Sequence, residues 1–276
     1  MAKPIVEATA KQGRILRVDV PFDEAVTVLR QVGCRYPISV KDLALARMEK
    51  GKSHSLSQNG SYTREGVLYF QDAQPILALN SPLLDLGLAK QAVQANREGR
   101  YFSTQDGKMY EKFAKLAEQG KNQEPEKRKA FYLPKANCTL TKEDADFNNI
   151  LRSLFKGEKA VDNYLEFNGQ GIPLYVVDPS TVKAQKGTLL TQLWFGSLDY
   201  GSELNGYGRY LYYVSGVRGV LRDSERATAS EVKPTKMPYT PSQLTQMSKL
   251  IQGVRAGNLP ASRLEKVAEF LGRLKQ

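Results

Sequence analysis

Apolar and polar positions along the first two thirds of the chain fall into short blocks of two periods. Residues 14–20 (RILRVDV) alternate and are rich in β-branched side chains, which predicts a strand. Residues 22–33 (FDEAVTVLRQVG) begin acidic, carry Ala25, Val26, Val28 and Leu29, and end on Gly33, which predicts a helix. Ser39 with Asp42 three residues on is a capping-box-like start for a second helix over 40–51. Within 60–79 (GSYTREGVLYFQDAQPILAL) a polar turn separates two short strands. Asn80-Ser81-Pro82 supplies a cap and a first-turn proline for a helical region ending near Gly99, and residues 108–119 predict a further helix. Residues 131–133 are a brief strand, and Thr141 and Asp144 open a helix over 141–157. Residues 172–177 (IPLYVV) read as a buried strand stopped by Asp178-Pro179. Strands and helices do not alternate regularly, so the expected class is α+β rather than a doubly wound sheet.

Past residue 222 the character changes. Residues 223–239 are polar and interrupted by Pro234 and Pro238, as in a linker. Thr240-Pro241 then caps a helix with Leu244, Met247, Ile251 and Val254 on one face, and a second helix carries Leu264, Val267, Ala268 and Leu271. The expected organisation is a domain over 1–222, a linker over 223–239 and a helical hairpin over 240–276, with no tandem repeat of solenoid period.

Length and composition narrow the options. A chain of 276 residues buries a sizeable core without staples. It has no apolar run near the roughly 18 residues of a membrane span, and its N-terminus lacks the apolar stretch of a secretory signal, so a cytoplasmic location is expected. Cys34 and Cys138 lie far apart and outside any CxxC arrangement, which points to neither a disulfide framework nor a thiolate metal site. The net charge of +11 favours polyanionic partners. Its densest cluster, 121–129 (KNQEPEKRK), interleaves Glu124 and Glu126 and reads as a solvated loop.

Candidate catalytic chemistry is sparse. The single histidine, His54, sits between serines and reads as an exposed loop residue. Lys50-Gly51-Lys52-Ser53 resembles the end of a phosphate-binding loop, but Ala46 stands where the first glycine is required, and the segment follows a helix rather than a strand. Neither Gly206-Tyr207-Gly208 nor 216–219 (GVRG) completes GxGxxG. The pairs Asp144 with Asp146 and Glu158 with Asp162 read as caps or solvated faces rather than acid/base or metal sites. No catalytic residue, metal site or cofactor is therefore expected.

Residues 193–220 (LWFGSLDYGSELNGYGRYLYYVSGVRGV) are different. A sparse frame of Trp194, Phe195, Leu198, Leu204, Arg209, Leu211, Val217, Arg218 and Val220 holds gaps filled almost entirely by Gly, Ser, Asp, Asn and Tyr. Five of the fourteen tyrosines fall here: Tyr200, Tyr207, Tyr210, Tyr212 and Tyr213. Tyrosine gives rigid contact area at low entropic cost, while Ser, Gly and Asn give adaptable hydrogen bonds, so the gaps have the composition of a paratope. A nucleic-acid groove is the competing reading, because aromatics can stack bases in a basic protein. Residues 200–215 nevertheless hold one basic residue, Arg209, beside an acidic Glu203. The leucines and Val217 are too widely spaced for simple hairpins alternating apolar and polar positions.

The frame LWF..L...S.L.G..R.L.....VRGV resembles the variable proteins of diversity-generating retroelements, of the archaeal and small-genome bacterial type. PISVKDLALARMEKGKS, NGSYTREGVLYF and LNSPLL are similar to the constant region of that family, so the resemblance spans roughly residues 14 to 222. In the family, adenine-directed mutagenesis turns asparagine codons into codons for Asn, Asp, Ser, Gly, Tyr and other residues. The resemblance implies a C-type lectin-like fold, an α+β scaffold with little regular structure around the variable region, and a non-enzymatic, receptor-like binding function. Carried over residue by residue, it makes Ser197, Asp199, Tyr200, Asn205, Tyr207, Gly208, Tyr210, Tyr212, Tyr213 and Ser215 the variable contact surface. Trp194, Leu198, Leu204, Leu211 and Val217 become scaffold. A protein ligand is expected, because aromatic anchors dominate protein interfaces. In the family the variable repeat lies near the C-terminus, whereas here a linker and helices follow it.

Overall fold

The computed structural model describes residues 2–208 and 210–222, with the side chain of Ser215 left aside. The linker and helical hairpin expected after residue 222, and the frame residue Arg209, lie outside the described residues.

The chain is α+β. It opens on β1 (Ile5–Ala10) and β2 (Gly13–Val20), followed by α1 (Phe22–Gln31), α2 (Val40–Lys50) and the single turn α3 (Ser55–Gln58). Next come β3 (Ser61–Tyr69), β4 (Ile76–Ala78), α4 (Leu86–Arg97), β5 (Phe102–Ser103) and α5 (Lys108–Lys121). The middle of the chain holds β6 (Ala130–Tyr132), β7 (Cys138–Leu140), α6 (Ala145–Phe155) and α7 (Glu158–Asn168). It closes with β8 (Ile172–Tyr175), α8 (Pro179–Lys183), β9 (Leu189–Phe195), β10 (Leu204–Asn205) and β11 (Ser215–Leu221). No helix among the described residues is long and apolar enough to cross a membrane.

Two sheets organise these elements. The smaller is antiparallel in the order β1-β2-β11, so the end of the Tyr-rich segment pairs with the start of the chain. The larger runs β6-β4-β3-β9-β10-β8-β7, with β5 also paired to β9. Its pairings are antiparallel except for β10 on β8, which is parallel. The central strands β3 and β9 are buried on both faces. Leu193 and Phe195 of β9 enter one core with α2, α6 and α7, and Leu190 enters the other with α1, α4 and α5.

Local sequence sets the helix ends. Ser39 accepts the Asp42 backbone N–H at 3.0 Å, the N-cap half of a capping box, and donates its hydroxyl to the Asp42 carboxylate at 2.9 Å. Asp144 accepts from the N–H groups of Asp146 and Phe147 and caps α6. Other expectations need correction. The helical region over 80–99 is two elements, a 3-10 turn at Pro82–Leu84 capped by Ser81 and then α4 capped by Asp85. The helix expected over 141–157 starts at Ala145 and ends at Phe155, where Lys156 turns left-handed at φ 60°. His54 is a half-buried cap of α3 rather than an exposed loop residue, its Nδ1 accepting the Leu56 N–H at 3.2 Å. Tyr175 in the strand expected to be wholly buried is 37% exposed.

Candidate binding surface

Strand alternation separates the residues of the Tyr-rich segment that fold from those that face outward. Register places Tyr62 opposite Trp194, Trp194 opposite Asn205, and Asn205 opposite Tyr175, one row across β3, β9, β10 and β8. The adjacent row runs Ser61, Phe195, Leu204 and Leu174, and all four are fully buried. The frame residues Phe195 and Leu204 thus anchor the core. Their strand neighbours Trp194 and Asn205 form the floor of a surface.

Over that floor folds the connection from β10 to β11. Tyr62, Trp194, Glu203, Asn205, Tyr207, Gly208, Tyr210 and Tyr213 line a concave site of about 350 Å³. Tyr62 and Trp194 meet edge to face at 5.0 Å between centroids, and Tyr210 and Tyr213 lie 5.5 Å apart. Tyr207 stacks on Tyr175 at 6.3 Å and accepts a hydrogen bond from Asn137 Nδ2 at 3.3 Å. The loop is pinned from below: the Leu211 N–H donates to Asn96 Oδ1 at 3.3 Å, and its carbonyl accepts the Phe22 N–H at 2.9 Å. Leu211 itself is 1% exposed.

The expected contact residues therefore separate into groups. Asn205, Tyr207, Gly208, Tyr210 and Tyr213 converge on the concave site. Asp199 and Tyr200 are exposed on a 3-10 turn (Leu198–Tyr200), outside the residues lining that site. Tyr212 is half-buried and packs against the core shared with α1 and α4. Ser197 does not reach the surface: it is 6% exposed and its carbonyl accepts the Ser202 N–H at 2.8 Å. Gly208 contributes backbone, with φ +53° and no room for a Cβ, which would lie 2.6 Å from the Thr191 Cβ.

Five residues of the surface lie outside the gap pattern. Tyr62, Tyr175 and Asn137 come from distant strands and loops, so no local signal marks them. Trp194, read as scaffold, lines the site. Glu203 was readable only as an acidic residue among neutral ones. Its carboxylate fills space that Gly196 leaves empty, and its Oε2 is buried without a hydrogen-bond partner. Burial raises the Glu203 pKa above the ordinary carboxylate range, against the opposing charge of Arg47. Burial likewise raises the Tyr62 hydroxyl pKa, opposed by a backbone hydrogen bond from Tyr210.

Beneath the floor sit two buried arginines. The Arg218 guanidinium forks onto the Glu7 carboxylate at 2.5 and 2.8 Å and donates to the Gly60 carbonyl at 2.6 Å. Gly60 in turn lies flat against the Trp194 indole, which a Cβ there would overlap. Arg47 donates to the Leu56 carbonyl, the Asn59 carbonyl and the Tyr164 hydroxyl, with its guanidinium 4.5 Å from the centre of the Phe195 ring. Among the described residues no group of three or more His, Cys, Asp or Glu is placed to hold a metal ion.

No family model matches this chain, and no curated protein matches it. It is similar to a solved structure described as the accommodation of massive sequence variation in Nanoarchaeota by the C-type lectin fold. The two share 13% identity over 79% of this chain and 95% of that one, with a TM-score of 0.47.

Proposed function

We propose that this chain is a non-enzymatic ligand-binding protein of C-type lectin-like fold, whose contact surface is diversified by adenine-directed retroelement mutagenesis. The observation that carries the reading is the convergence of Asn205, Tyr207, Gly208, Tyr210 and Tyr213 on one concave site. The interleaved frame residues Leu204, Leu211 and Val217 stay buried. Residues of the type that mutagenesis of asparagine codons yields thus sit together on a face, while the residues between them fold it. Tyr210 and Tyr213, 58% and 52% exposed, present large rings to a partner at little entropic cost. A protein ligand suits such a surface, since clustered aromatics are the usual anchors of protein interfaces.

The surrounding DNA tests the diversification. The expected finding is a near-identical repeat that differs from codons 196 to 216 only at adenines, with a reverse transcriptase gene nearby. A repeat differing at all four bases alike, or no repeat at all, would remove this part of the reading. Binding is tested separately with a protein ligand selected against the purified chain: paired alanines at Tyr210 and Tyr213 should weaken it at least about tenfold, the effect of losing one anchor of 1.4 kcal/mol.

A further inference from the structure

The chemistry of the concave site is more specific than aromatic. Its walls are the rings of Tyr62, Trp194, Tyr207, Tyr210 and Tyr213, and no described lysine or arginine lines it. Among the described lining residues Glu203 supplies the one carboxyl, its Oε2 buried without a hydrogen-bond partner. An anionic group placed here would meet that carboxylate, and the described cation that acts on it, Arg47, is engaged with Leu56, Asn59 and Tyr164. A purely apolar group would cover the rings but leave Oε2 buried without a partner, which is unfavourable. A cation satisfies both features at once, because aromatic faces attract positive charge and the carboxylate completes an ion pair. The volume of about 350 Å³ is near the lower end for small-molecule sites and suits one side chain rather than an extended ligand.

Resting on the binding reading above, we propose that this site takes up the cationic side chain, lysine or arginine, of a protein ligand. Tyr62, Trp194 and Glu203 form the fixed part of the cage, and Asn205, Tyr207, Tyr210 and Tyr213 form its adjustable rim. Long basic side chains suit such a pocket because their methylene stems lie along the rings while the charged head reaches the carboxylate. Arg47 does not occupy this role, since its three donor contacts are made to Leu56, Asn59 and Tyr164 on the core side. The preference for positive charge then belongs to the floor, and changes at the rim tune which sequence around the cation is accepted.

Trp194 is the only tryptophan of the chain and lines the site, so its emission reports occupancy directly. The full-length protein is titrated at constant ionic strength with the amides of Nα-acetyl-arginine and Nα-acetyl-lysine, and with the neutral amides of Nα-acetyl-citrulline and Nα-acetyl-norleucine. The cationic amides are expected to change the emission saturably, at roughly 1–10 mM, and at least about tenfold more tightly than the neutral ones. E203Q, close in shape, should weaken the cationic amides at least about fivefold, leave norleucine unchanged and keep the melting temperature. Equal responses to cationic and neutral amides, or none from any of them up to about 100 mM, overturn the proposal. An E203Q chain that binds the cationic amides as wild type does also overturns it. Failure of the broader reading shows elsewhere, in the absence of adenine-specific differences in the DNA.

Discussion

Arg218 ties the strand that ends the Tyr-rich segment to the first strand of the chain through a fork on Glu7, with both side chains almost fully buried. Removing one member leaves a desolvated charge, so R218A should cost about 3–5 kcal/mol and lower the melting temperature accordingly. Tyr62 and Tyr213 make a contrasting pair: Tyr62 is 4% exposed inside the core, Tyr213 is 52% exposed. Calorimetry should find Y62A destabilised by about 3 kcal/mol and Y213A within about 0.5 kcal/mol of wild type. Glu65 sets a pH dependence. Burial pushes its carboxyl pKa up from 4.5 to about 7, against Arg64 and hydrogen bonds from Thr63 and the Val40 N–H. The folded state then holds the proton more tightly than the unfolded chain, so Glu65 contributes fully below pH 4.5 and the contribution is lost as pH rises through about 7. Glu7 runs the other way, since its pKa is lowered by Arg218 despite burial, and its contribution disappears as pH falls below 4.5. Burial lowers the pKa of Lys156, which faces the same region as Glu65, from 10.5 to about 8, above that window. The melting temperature should fall between pH 5 and pH 7, and E65Q should flatten that slope while leaving the acid limb of Glu7 intact.

At the scale of elements, caps were legible and the central strand β9 was not. Ser39 and Asp144 declare helix starts because a cap acts within three residues of itself. D144A should therefore cost about 1 kcal/mol by thermal unfolding. In contrast β9 (LLTQLWF) is covered on both faces, so it has no two-residue alternation to find, although it lies at the middle of the larger sheet. The helix α7 follows the left-handed Lys156 and Gly157 so closely that one amphipathic run masks the next. The connection from β10 to β11 depends on Gly208, whose positive φ and contact with Thr191 allow no side chain. G208A should cost about 2 kcal/mol or more and detach the loop that carries Tyr210, read as a shift in Trp194 emission. That position resembles the diversified set by residue type and belongs to the scaffold by geometry.

Across the whole molecule the net charge is +11, while the described lining of the concave site carries no lysine or arginine. Two salt responses should follow. Association with arbitrary single-stranded DNA, driven by the overall charge, should fall steeply between low and physiological salt. Binding of a protein ligand through Tyr210 and Tyr213 should change little over the same range, as expected for short-range aromatic contact. A competition experiment in which DNA displaces such a ligand at physiological salt would contradict this division. The sequence alone determined the α+β class, the helix caps and the two-tier composition of residues 193–220, because each depends on neighbours a few positions apart. Only the tertiary structure decided that Trp194 belongs to the floor, that Ser197 is withdrawn, that Gly208 admits no side chain, and that Glu203 lies beside the aromatic rings. Those facts follow from strand register across β3, β9, β10 and β8, which brings Tyr62 and Tyr175 beside Trp194 and Asn205. Pairing between strands separated by more than a hundred residues is set by core packing at the scale of the sheet, and no local pattern of residues encodes it.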